Sequence, residues 1–301
     1  MLAKVNRKIS EVMKVIYHSD ADGKCSAFIV REHVDTEGLA EYIETDYNKQ
    51  FPIWDVNPDE EVWIVDFSID PDMMRALLEV TKNVIWIDHH ISSIEKYDDF
   101  ERTIMGVRSN DLSGCELTWL FVVGCIGGHR AVIPTESQLD DIPYYISLIG
   151  DRDTWKFKFG DESRYLHEAF MAAGEPSPLD IWWKNVEFNL NSELKTGEIL
   201  LSHTKGLYEN IIGRSAYEAE FEGHKILVCN CPIFTSELFG DRVNDYPFVA
   251  VYFYNGVNFK VSLYSVNMDV VEFAKKRGGG GHARACGFVC DEVPFRKTDD
   301  K

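Results

Sequence analysis

The chain has 301 residues, of which 45% are hydrophobic, 27% charged and 13% aromatic. This length and composition indicate a folded protein of about two domains and exclude a disordered or collagen-like chain. The 31 lysines and arginines against 50 aspartates and glutamates give a net charge of −19. Because nonspecific nucleic-acid binding depends on Lys and Arg contacts, this charge argues against a protein that coats long DNA or RNA. It argues equally against docking on anionic lipid.

The seven cysteines fit no small secreted disulfide framework, because their number is odd and their spacing irregular. Cys229 and Cys231 form the closest pair, but no second pair completes a zinc site. We therefore predict reduced, mostly buried thiols in a cytoplasmic protein. The basic N-terminus lacks the apolar core of a signal peptide, and no apolar run approaches the ~18–20 residues that cross a membrane. The longest run, from Leu117 to Ile126, is predicted to be a core helix.

The first half of the chain alternates strand-like and helix-like segments. Strands are predicted at 12–17, 62–66 and 84–88, and helices at 25–34, 71–82 and 142–149. Asp70 as N-cap and Pro71 as the first helical residue mark the start of the second of these helices. Apolar strands interleaved with helices predict an α/β fold with a mostly parallel sheet covered by helices on both faces.

The second half begins with a proline-containing loop at 175–178 and a helical stretch at about 180–214. Strand-like runs then follow at 225–229, 248–254, 258–264 and 286–290. These segments predict a second, smaller α/β lobe. We therefore expect a first domain at 1–180, a helical connector at 181–214 and a C-terminal lobe at 215–301 that ends in a polar tail.

Acids and histidines follow all three predicted strands of the first half. These are His18, Asp20 and Asp22, then Asp66, then Asp88, His89 and His90. Chemistry gathers where the carboxyl ends of parallel strands meet, so we expect these side chains to lie close together. Imidazole and carboxylate ligands suit divalent cations, Mn²⁺ in particular. Each segment alone also fits a polar turn or a helix cap, but their joint occurrence favours a metal site.

Two further segments carry polar side chains beside glycine. The predicted helix at 142–149 is followed by Gly150-Asp151-Arg152-Asp153. Near the C-terminus, four glycines at 278–281 precede His282 and Arg284. Such a run is commonly a flexible loop, but without Cβ atoms its N–H groups can also form a nest for an anion.

Five of these segments, taken in order, resemble the motifs of a known family. HSDADG, VDFS, IDHH and GDRD look like the four motifs of the DHH phosphoesterase superfamily, and GGGGHARACGF is similar to the glycine-rich motif of its DHHA1 domain. The resemblance runs from about residue 12 to about residue 290. The first motif is most similar to the branch of nanoRNases (oligoribonucleases) and RecJ-type nucleases. The resemblance implies a DHH domain and a DHHA1 domain that hydrolyse phosphoesters with two divalent cations.

The resemblance also implies which residues hold the cations. One cation would be held by His18, Asp20 and Asp66, and the other by Asp22, Asp66, His89 and Asp151, with Asp66 bridging. Mn²⁺ is the preferred ion, and Mg²⁺ or Co²⁺ are acceptable. Asp151 is preferred to Asp153 because it directly follows the apolar helix. His90 would face the scissile phosphate, and Asp88 would orient an imidazole.

In the C-terminal lobe the resemblance implies substrate contacts and shows one departure. The implied contacts are Gly279, Gly280, Gly281, His282, Arg284 and Ser262. The family commonly carries an Arg in the strand before the glycine motif, where this chain has Tyr264. A tyrosine could stack on a base instead, or Lys260 or Arg284 could supply the charge. The substitution bears on substrate identity rather than on hydrolysis.

The leading hypothesis is a cytoplasmic, Mn²⁺-dependent phosphodiesterase that trims short RNA or DNA oligonucleotides to mononucleotides. Its partners would include neither long duplex nucleic acid nor a membrane, and a homodimer is compatible with the resemblance. One alternative keeps the site but changes the substrate to 3′-phosphoadenosine 5′-phosphate, a linear or cyclic dinucleotide, or an inorganic phosphate chain. Another is a non-catalytic nucleotide sensor on the same scaffold. Pyrophosphatase relatives are disfavoured because their C-terminal lobe differs.

Overall fold

The computed structural model describes residues 13–124 and 135–298. The chain divides into two compact units between Leu200 and Leu201. The first unit contains β1 (Met13–His18), α1 (Ala21–His33), β2 (Glu41–Thr45), β3 (Glu61–Val65), α2 (Pro71–Val80), β4 (Val84–Asp88), α3 (Ile91–Ile94), β5 (Met105–Arg108), α4 (Gly114–Val122), α5 (Glu136–Leu139), α6 (Tyr144–Asp153) and α7 (Glu162–Ala172). The boundary between the units falls inside the long helix α8 (Trp182–Ser215), which kinks at Asn189.

A five-stranded sheet forms the centre of the first unit, in the order β2-β1-β3-β4-β5. All four strand pairings are parallel, which confirms the predicted α/β class. Successive side chains of a strand point to opposite faces, so both faces of this sheet must be covered. Val15 and Tyr17 accordingly pack into one apolar cluster, and Ile16 packs into another.

The strand order creates a switch point between β1 and β3. From β1 the chain moves to β2 on one side, and it then returns to β3 on the other side of β1. Connections that leave in opposite directions open a crevice at the carboxyl ends of the two strands, where α/β proteins bind ligands. His18 ends β1 and Asp66 follows β3, so both lie at this crevice.

The three strands predicted in the first half are present, with ends shifted by at most one residue. Both edge strands, β2 and β5, were not predicted. β2 has the sequence EYIET, and its partly exposed edge position removes the apolar pattern on which the prediction relies. The helix predicted at 117–126 is α4, which begins earlier at Gly114, and residues 125 and 126 lie outside the described ranges. The helix predicted at 142–149 is α6, which continues to Asp153.

The second unit is built on a seven-stranded sheet. Its elements are β6 (Ala216–Phe221), β7 (His224–Asn230), β8 (Val249–Tyr254), β9 (Phe259–Tyr264), α9 (Val271–Lys275), β10 (Gly280–His282), β11 (Ala285–Cys290) and β12 (Arg296–Lys297). The strand order is β10-β11-β9-β8-β7-β6-β12, and only the β7–β8 pairing is parallel within the described ranges. Two apolar clusters cover the faces of this sheet, one around Phe248 and one around Phe239.

Most of the described cysteines are buried, as the sequence predicts. Six cysteines within the described ranges are free thiols, and all of them except Cys290 are buried. Cys125 lies outside those ranges. Across residues 13–124 and 135–298, no helix combines the length and the apolarity needed to span a membrane.

Candidate functional site

Polar side chains from the ends of three strands lie at the carboxyl edge of the parallel sheet. His18 ends β1, Asp66 follows β3, and Asp88 ends β4 directly before His89. Asp66 has a backbone φ of +52°, and its N–H donates to the carbonyl of Ile87 at 2.9 Å. Asp is among the few non-glycine residues that occupy this left-handed region readily. The chain therefore turns sharply at Asp66, at the end of an apolar strand.

The Asp66 carboxylate is buried without a hydrogen-bond partner. Its side chain is 1% exposed, and neither oxygen has a partner among the described residues. Its Oδ1 lies 3.2 Å from His89 Nε2, and its Oδ2 lies 3.8 Å from His18 Nδ1. Burial, together with the charges of Asp22 and Asp20, raises the pKa of Asp66 well above its usual value. A buried carboxylate without a donor is either protonated or neutralised by a cation, so a metal ion at this position would offset the cost of its charge.

The ligand atoms fall into three overlapping groups. Each group can supply one ligand atom per residue, with all the atoms within 4.8 Å of one another. The groups are His18, Asp20 and Asp66; Asp66, His89 and His90; and Asp22, His89 and Asp153. Because the groups share Asp66 and His89, the arrangement fits neighbouring cations bridged by common ligands better than isolated ones. The carboxylate oxygens suit Mn²⁺ and Mg²⁺, and the imidazole nitrogens suit transition-metal ions.

Asp22 is fixed by the N-terminus of α4. Its two oxygens accept from the N–H groups of Gly114 at 2.7 Å and of Cys115 at 2.8 Å. The N-terminus of a helix favours a negative charge, so it is a suitable anchor for this carboxylate. Asp22 Oδ2 also lies 3.7 Å from His89 Nε2, which places it beside the shared ligands.

In the fourth motif the structure brings Asp153, rather than the expected Asp151, into the candidate ligand group. The Asp151 carboxylate accepts from the N–H groups of Lys158 and Phe159, at 2.8 and 3.3 Å, and from the Ser163 hydroxyl. Asp153 Oδ2 lies 3.4 Å from His89 Nε2. Since α6 continues through both residues, positions two apart point roughly 200° away from each other. Only one of the two carboxylates can therefore face the cluster.

Asp153 carries the electrostatic signature of a crowded acidic site. Burial and the nearby charges of Asp22 and Asp20 raise its pKa to about 8. The same crowding acts on Asp66, so at least two carboxylates of this group have pKa values above the usual range. A divalent cation relieves that repulsion, because it favours the charged form of each ligand.

His18 and Asp20 form a pair at the opposite side of the group. His18 Nδ1 and Asp20 Oδ2 are 2.8 Å apart, and Asp20 Oδ1 accepts from the N–H of Gly23 at 2.9 Å. Asp20 is thus also the N-cap of α1. Burial opposes the charged form of His18, but the hydrogen bond that its ring donates to Asp20, together with the charge of Asp20, outweighs this effect and raises the pKa of His18.

His90 is oriented by Asp88. Asp88 is fully buried at the end of β4, its Oδ1 lies 2.7 Å from His90 Nδ1, and its Oδ2 accepts from the Ser68 hydroxyl. Burial lowers the pKa of His90, but the hydrogen bond and charge of Asp88 prevail and raise it. The bond at Nδ1 leaves Nε2 as the ring nitrogen through which His90 can meet a ligand.

Sequence reasoning did not identify Tyr47. Its ring lies 5.7 Å from that of His18, 5.9 Å from that of His90 and 4.8 Å from that of Phe67, centroid to centroid. Tyr47 is 52% exposed, so it forms an accessible aromatic edge beside the two histidines. It lies just after the unpredicted strand β2, and recognising that strand would have placed it at the carboxyl edge of the sheet.

In the second unit, part of the glycine run forms a strand rather than a flexible loop. Gly280–His282 forms β10, which pairs antiparallel with β11. A Cβ on Gly279 would lie 2.1 Å from the carbonyl oxygen of Gly287, and one on Gly281 would lie 2.7 Å from that of Ala285. These two glycines are therefore required by close backbone packing. The space beside Gly280 is open among the described atoms.

The other residues expected to contact substrate lie around the same strands. Arg284 is exposed in the turn between β10 and β11. Ser262 is half-buried on β9 and pairs in register with Gly287 of β11. His282 ends β10, and its side chain lies outside the part that the structure describes.

Comparisons with known proteins identify the fold. No family model matches the chain. It is 25% identical over 317 residues to an uncharacterized protein of Acanthamoeba polyphaga mimivirus, covering 96% of this chain and 71% of the viral protein. Its structure is similar to PggH, a pGpG-specific phosphodiesterase from Vibrio cholerae, with a TM-score of 0.54, 13% identity and 94% of each chain covered. It is also similar to the solved DHH domain of a member of a ribosomal-protein family, with a TM-score of 0.52, 15% identity, and 95% of this chain and 83% of that chain covered.

Proposed function

We propose that this chain, which has the fold of the DHH superfamily, is a two-metal phosphodiesterase that hydrolyses short oligonucleotides to mononucleotides. The buried Asp66 carboxylate is the observation that carries the proposal. It is unpartnered among the described residues, and it belongs to two of the three ligand groups. A purely structural carboxylate in such a place would have hydrogen-bond donors around it, as Asp151 has.

The proposed ligands are six residues of the first unit: His18, Asp20, Asp22, Asp66, His89 and Asp153. Two divalent cations bound there would neutralise substrate charge and acidify the attacking water. We propose Mn²⁺ as the preferred ion because the donor set mixes imidazole with carboxylates. Backbone N–H groups hold two of these residues, Asp20 and Asp22, in position.

His90 is proposed to donate a hydrogen bond to a phosphate oxygen as negative charge develops there. Asp88 holds Nδ1 of the ring at 2.7 Å, which leaves Nε2 for the substrate. The raised pKa of His90 favours a ring that carries both protons, so Nε2 acts as a donor. A preorganised donor in a water-poor site stabilises the transition state more than the ground state.

Short substrates fit the chain better than long ones. The net charge of −19 opposes nonspecific binding of a long polyanion, so we propose that substrate contacts are local. We propose that Gly279, Gly280, Gly281, His282, Arg284 and Ser262 of the second unit contribute substrate contacts. The likeness to PggH favours linear dinucleotides as the first substrates to test.

The test is Mn²⁺-dependent release of mononucleotides from a 5′-labelled dinucleotide, resolved by chromatography. We expect a chelator to abolish turnover. Asp66→Asn and His90→Ala should each reduce turnover by at least about 100-fold, whereas Asp98→Asn should leave it unchanged. Asp98 is an exposed carboxylate of the same unit and outside the ligand groups. Absence of turnover with Mn²⁺, Mg²⁺ and Co²⁺ would contradict the proposal.

The same assay separates the alternative substrates. Parallel reactions would contain 3′-phosphoadenosine 5′-phosphate, a cyclic dinucleotide and inorganic polyphosphate. A kcat/KM at least tenfold higher for one of these than for the dinucleotide would reassign the substrate and keep the chemistry. Tight dinucleotide binding without turnover of any substrate would instead favour the nucleotide sensor.

A further inference from the structure

A pocket of about 140 Å³ lies within the first unit, between α6, α7 and the beginning of α8. This volume is smaller than the ~300–1,000 Å³ of sites that enclose a whole drug-sized ligand, so the pocket suits one flat group of a larger ligand. Asp22 and Asp153 contribute to its lining at one end, and both belong to the candidate metal group. A ligand in the pocket would therefore lie directly beside the metal centre. Asp20, Ala21 and Arg152 of the same two motifs also line it, whereas the remaining lining residues belong to none of the sequence motifs.

Aromatic rings form much of the wall away from the acids. Phe170 and Trp182 are buried at 3% and 8% exposure, and their rings meet edge to face at 5.7 Å. Trp155 also lines the pocket but is 61% exposed. A large aromatic side chain left accessible beside an apolar cavity is a feature of binding sites rather than of cores.

The backbone holds Trp155 in place at the cost of strain. Its φ is +54°, a region that bulky residues seldom adopt. The turn is fixed because Trp155 N–H donates to the Arg152 carbonyl at 3.3 Å and Lys156 N–H donates to the Asp151 carbonyl at 3.1 Å. The guanidinium of Arg152 lies 4.6 Å from the centroid of the Trp155 ring and covers it from one side.

One polar side chain on the pocket wall is uncharged at neutral pH. Burial, and then the positive charge of Arg152, lower the pKa of His167 to about 4. A neutral imidazole has one donor and one acceptor nitrogen, which is the pattern that the edge of a nucleobase complements. The pocket thus combines flat aromatic walls with a neutral hydrogen-bonding group and an acidic, metal-binding end.

We propose that this pocket binds the nucleobase of the nucleotide whose phosphate lies at the metal centre. The inference rests on the proposed function for the position of that phosphate. Trp155, backed by Arg152, stacks on the base, and His167 meets its edge. All the residues that line the pocket belong to the first unit. Aromatic stacking tolerates every base, so the pocket favours nucleotides over other phosphoesters without selecting one base.

Calorimetry with adenosine 5′-monophosphate and ribose 5-phosphate, both in Mn²⁺, tests the inference. In the parent chain we expect the nucleotide to bind about tenfold more tightly, because one stacked base contributes that much. Trp155→Leu should reduce the difference to less than about threefold, whereas Trp155→Phe should retain most of it. Phe188→Leu, which removes another exposed aromatic ring of this unit, should leave the difference intact. Equal binding of the two ligands by the parent, or an unchanged difference in Trp155→Leu, would overturn the inference.

A second measurement needs no variant. Irradiation of the parent chain with 8-azidoadenosine 5′-monophosphate should label peptides that contain Trp155 or residues of α7, and excess adenosine 5′-monophosphate should compete. Labelling confined to the second unit would overturn the inference. Because neither measurement requires turnover, a failed hydrolysis assay contradicts the proposed function while the pocket result stands by itself.

Discussion

Gly114 lies against the side chain of Asp66. A Cβ on Gly114 would be 2.6 Å from both Cβ and Oδ1 of Asp66, a distance that real Cβ atoms do not show. The N–H of the same glycine donates to Asp22 at 2.7 Å. The first residue of α4 therefore touches two proposed metal ligands, and its missing side chain allows them to approach.

We predict that Gly114→Ala weakens Mn²⁺ binding by about tenfold or more and lowers the melting temperature. The added methyl group must displace Asp66 or the start of α4, and overpacking of this kind costs about 1–3 kcal/mol. Gly206→Ala is the matched control, because a Cβ at this helical glycine has open space. It should be neutral or slightly stabilising, since Ala favours a helix over Gly. Calorimetric titration with Mn²⁺ and thermal unfolding give both readouts, and equal behaviour of the two variants would contradict this account.

Asp66→Asn is predicted to stabilise the metal-free chain while abolishing its response to Mn²⁺. Asparagine tolerates the left-handed backbone at this position and removes the buried acid, so we expect a gain of roughly 1–3 kcal/mol in chelator at pH 7. Mn²⁺ should raise the melting temperature of the parent but barely that of the variant. Thermal unfolding with and without the ion measures the two opposite effects. A variant less stable than the parent in chelator would disagree with the burial argument.

The stability gain of Asp66→Asn should also depend on pH. The pKa of Asp66 is raised in the folded chain above its usual value of 3.8, so the folded state binds a proton that the unfolded state releases. Stability of the metal-free parent must then fall as pH rises from about 4 toward the folded pKa, and the asparagine variant lacks this contribution. The difference in the free energy of unfolding should be small at acid pH and widen toward neutral pH. Denaturant titrations in chelator across that pH range measure the difference. If the free energies of unfolding of parent and variant differ by the same amount at every pH, the expectation is wrong.

Asp153→Asn and Asp151→Asn should have different effects although the residues are two positions apart. Asp153 faces the ligand group, so its variant should lose at least about 100-fold in turnover with little change in stability. Asp151 anchors the turn after α6, so its variant should lose about 1–3 kcal/mol of stability and keep its Mn²⁺ affinity within about threefold. Mn²⁺ calorimetry together with unfolding curves distinguishes the two. The reverse pattern would restore Asp151 as the ligand.

Asp88→Asn is predicted to impair catalysis through His90. The change should lower kcat about 10–100-fold, leave Mn²⁺ affinity nearly unchanged and shift the pH profile, because the carboxylate no longer holds Nδ1 or supports the charged ring. Ser68→Ala removes only the hydroxyl that orients Asp88, so its effect should be smaller but in the same direction. NMR titration of the His90 ring separates this role from a general loss of structure. An unaltered His90 titration in Asp88→Asn would argue against positioning.

Much of the site could be predicted from residues that are close in sequence. The apolar strands at 62–66 and 84–88 lead directly into Asp66 and into Asp88, His89 and His90, and parallel strands must bring such ends to one edge. The glycine run and the helix-starting Asp70-Pro71 are equally local signals. Edge strands β2 and β5 were missed because an edge strand need not carry a buried apolar pattern, and Tyr47 was missed with β2.

The sequence by itself determined that a parallel sheet would present acids and histidines at its carboxyl edge, since alternating apolar runs force that arrangement. Only the tertiary structure decided which of these side chains face one another. Asp151 and Asp153 are the same residue type in the same motif, but α6 continues through both and turns their side chains to different sides. Asp66 is one of 50 acidic residues in the sequence, and only the folded structure buries it without a hydrogen-bond donor among the described residues. Local periodicity fixes the face on which a residue lies, whereas its partners depend on packing between elements that are distant in sequence.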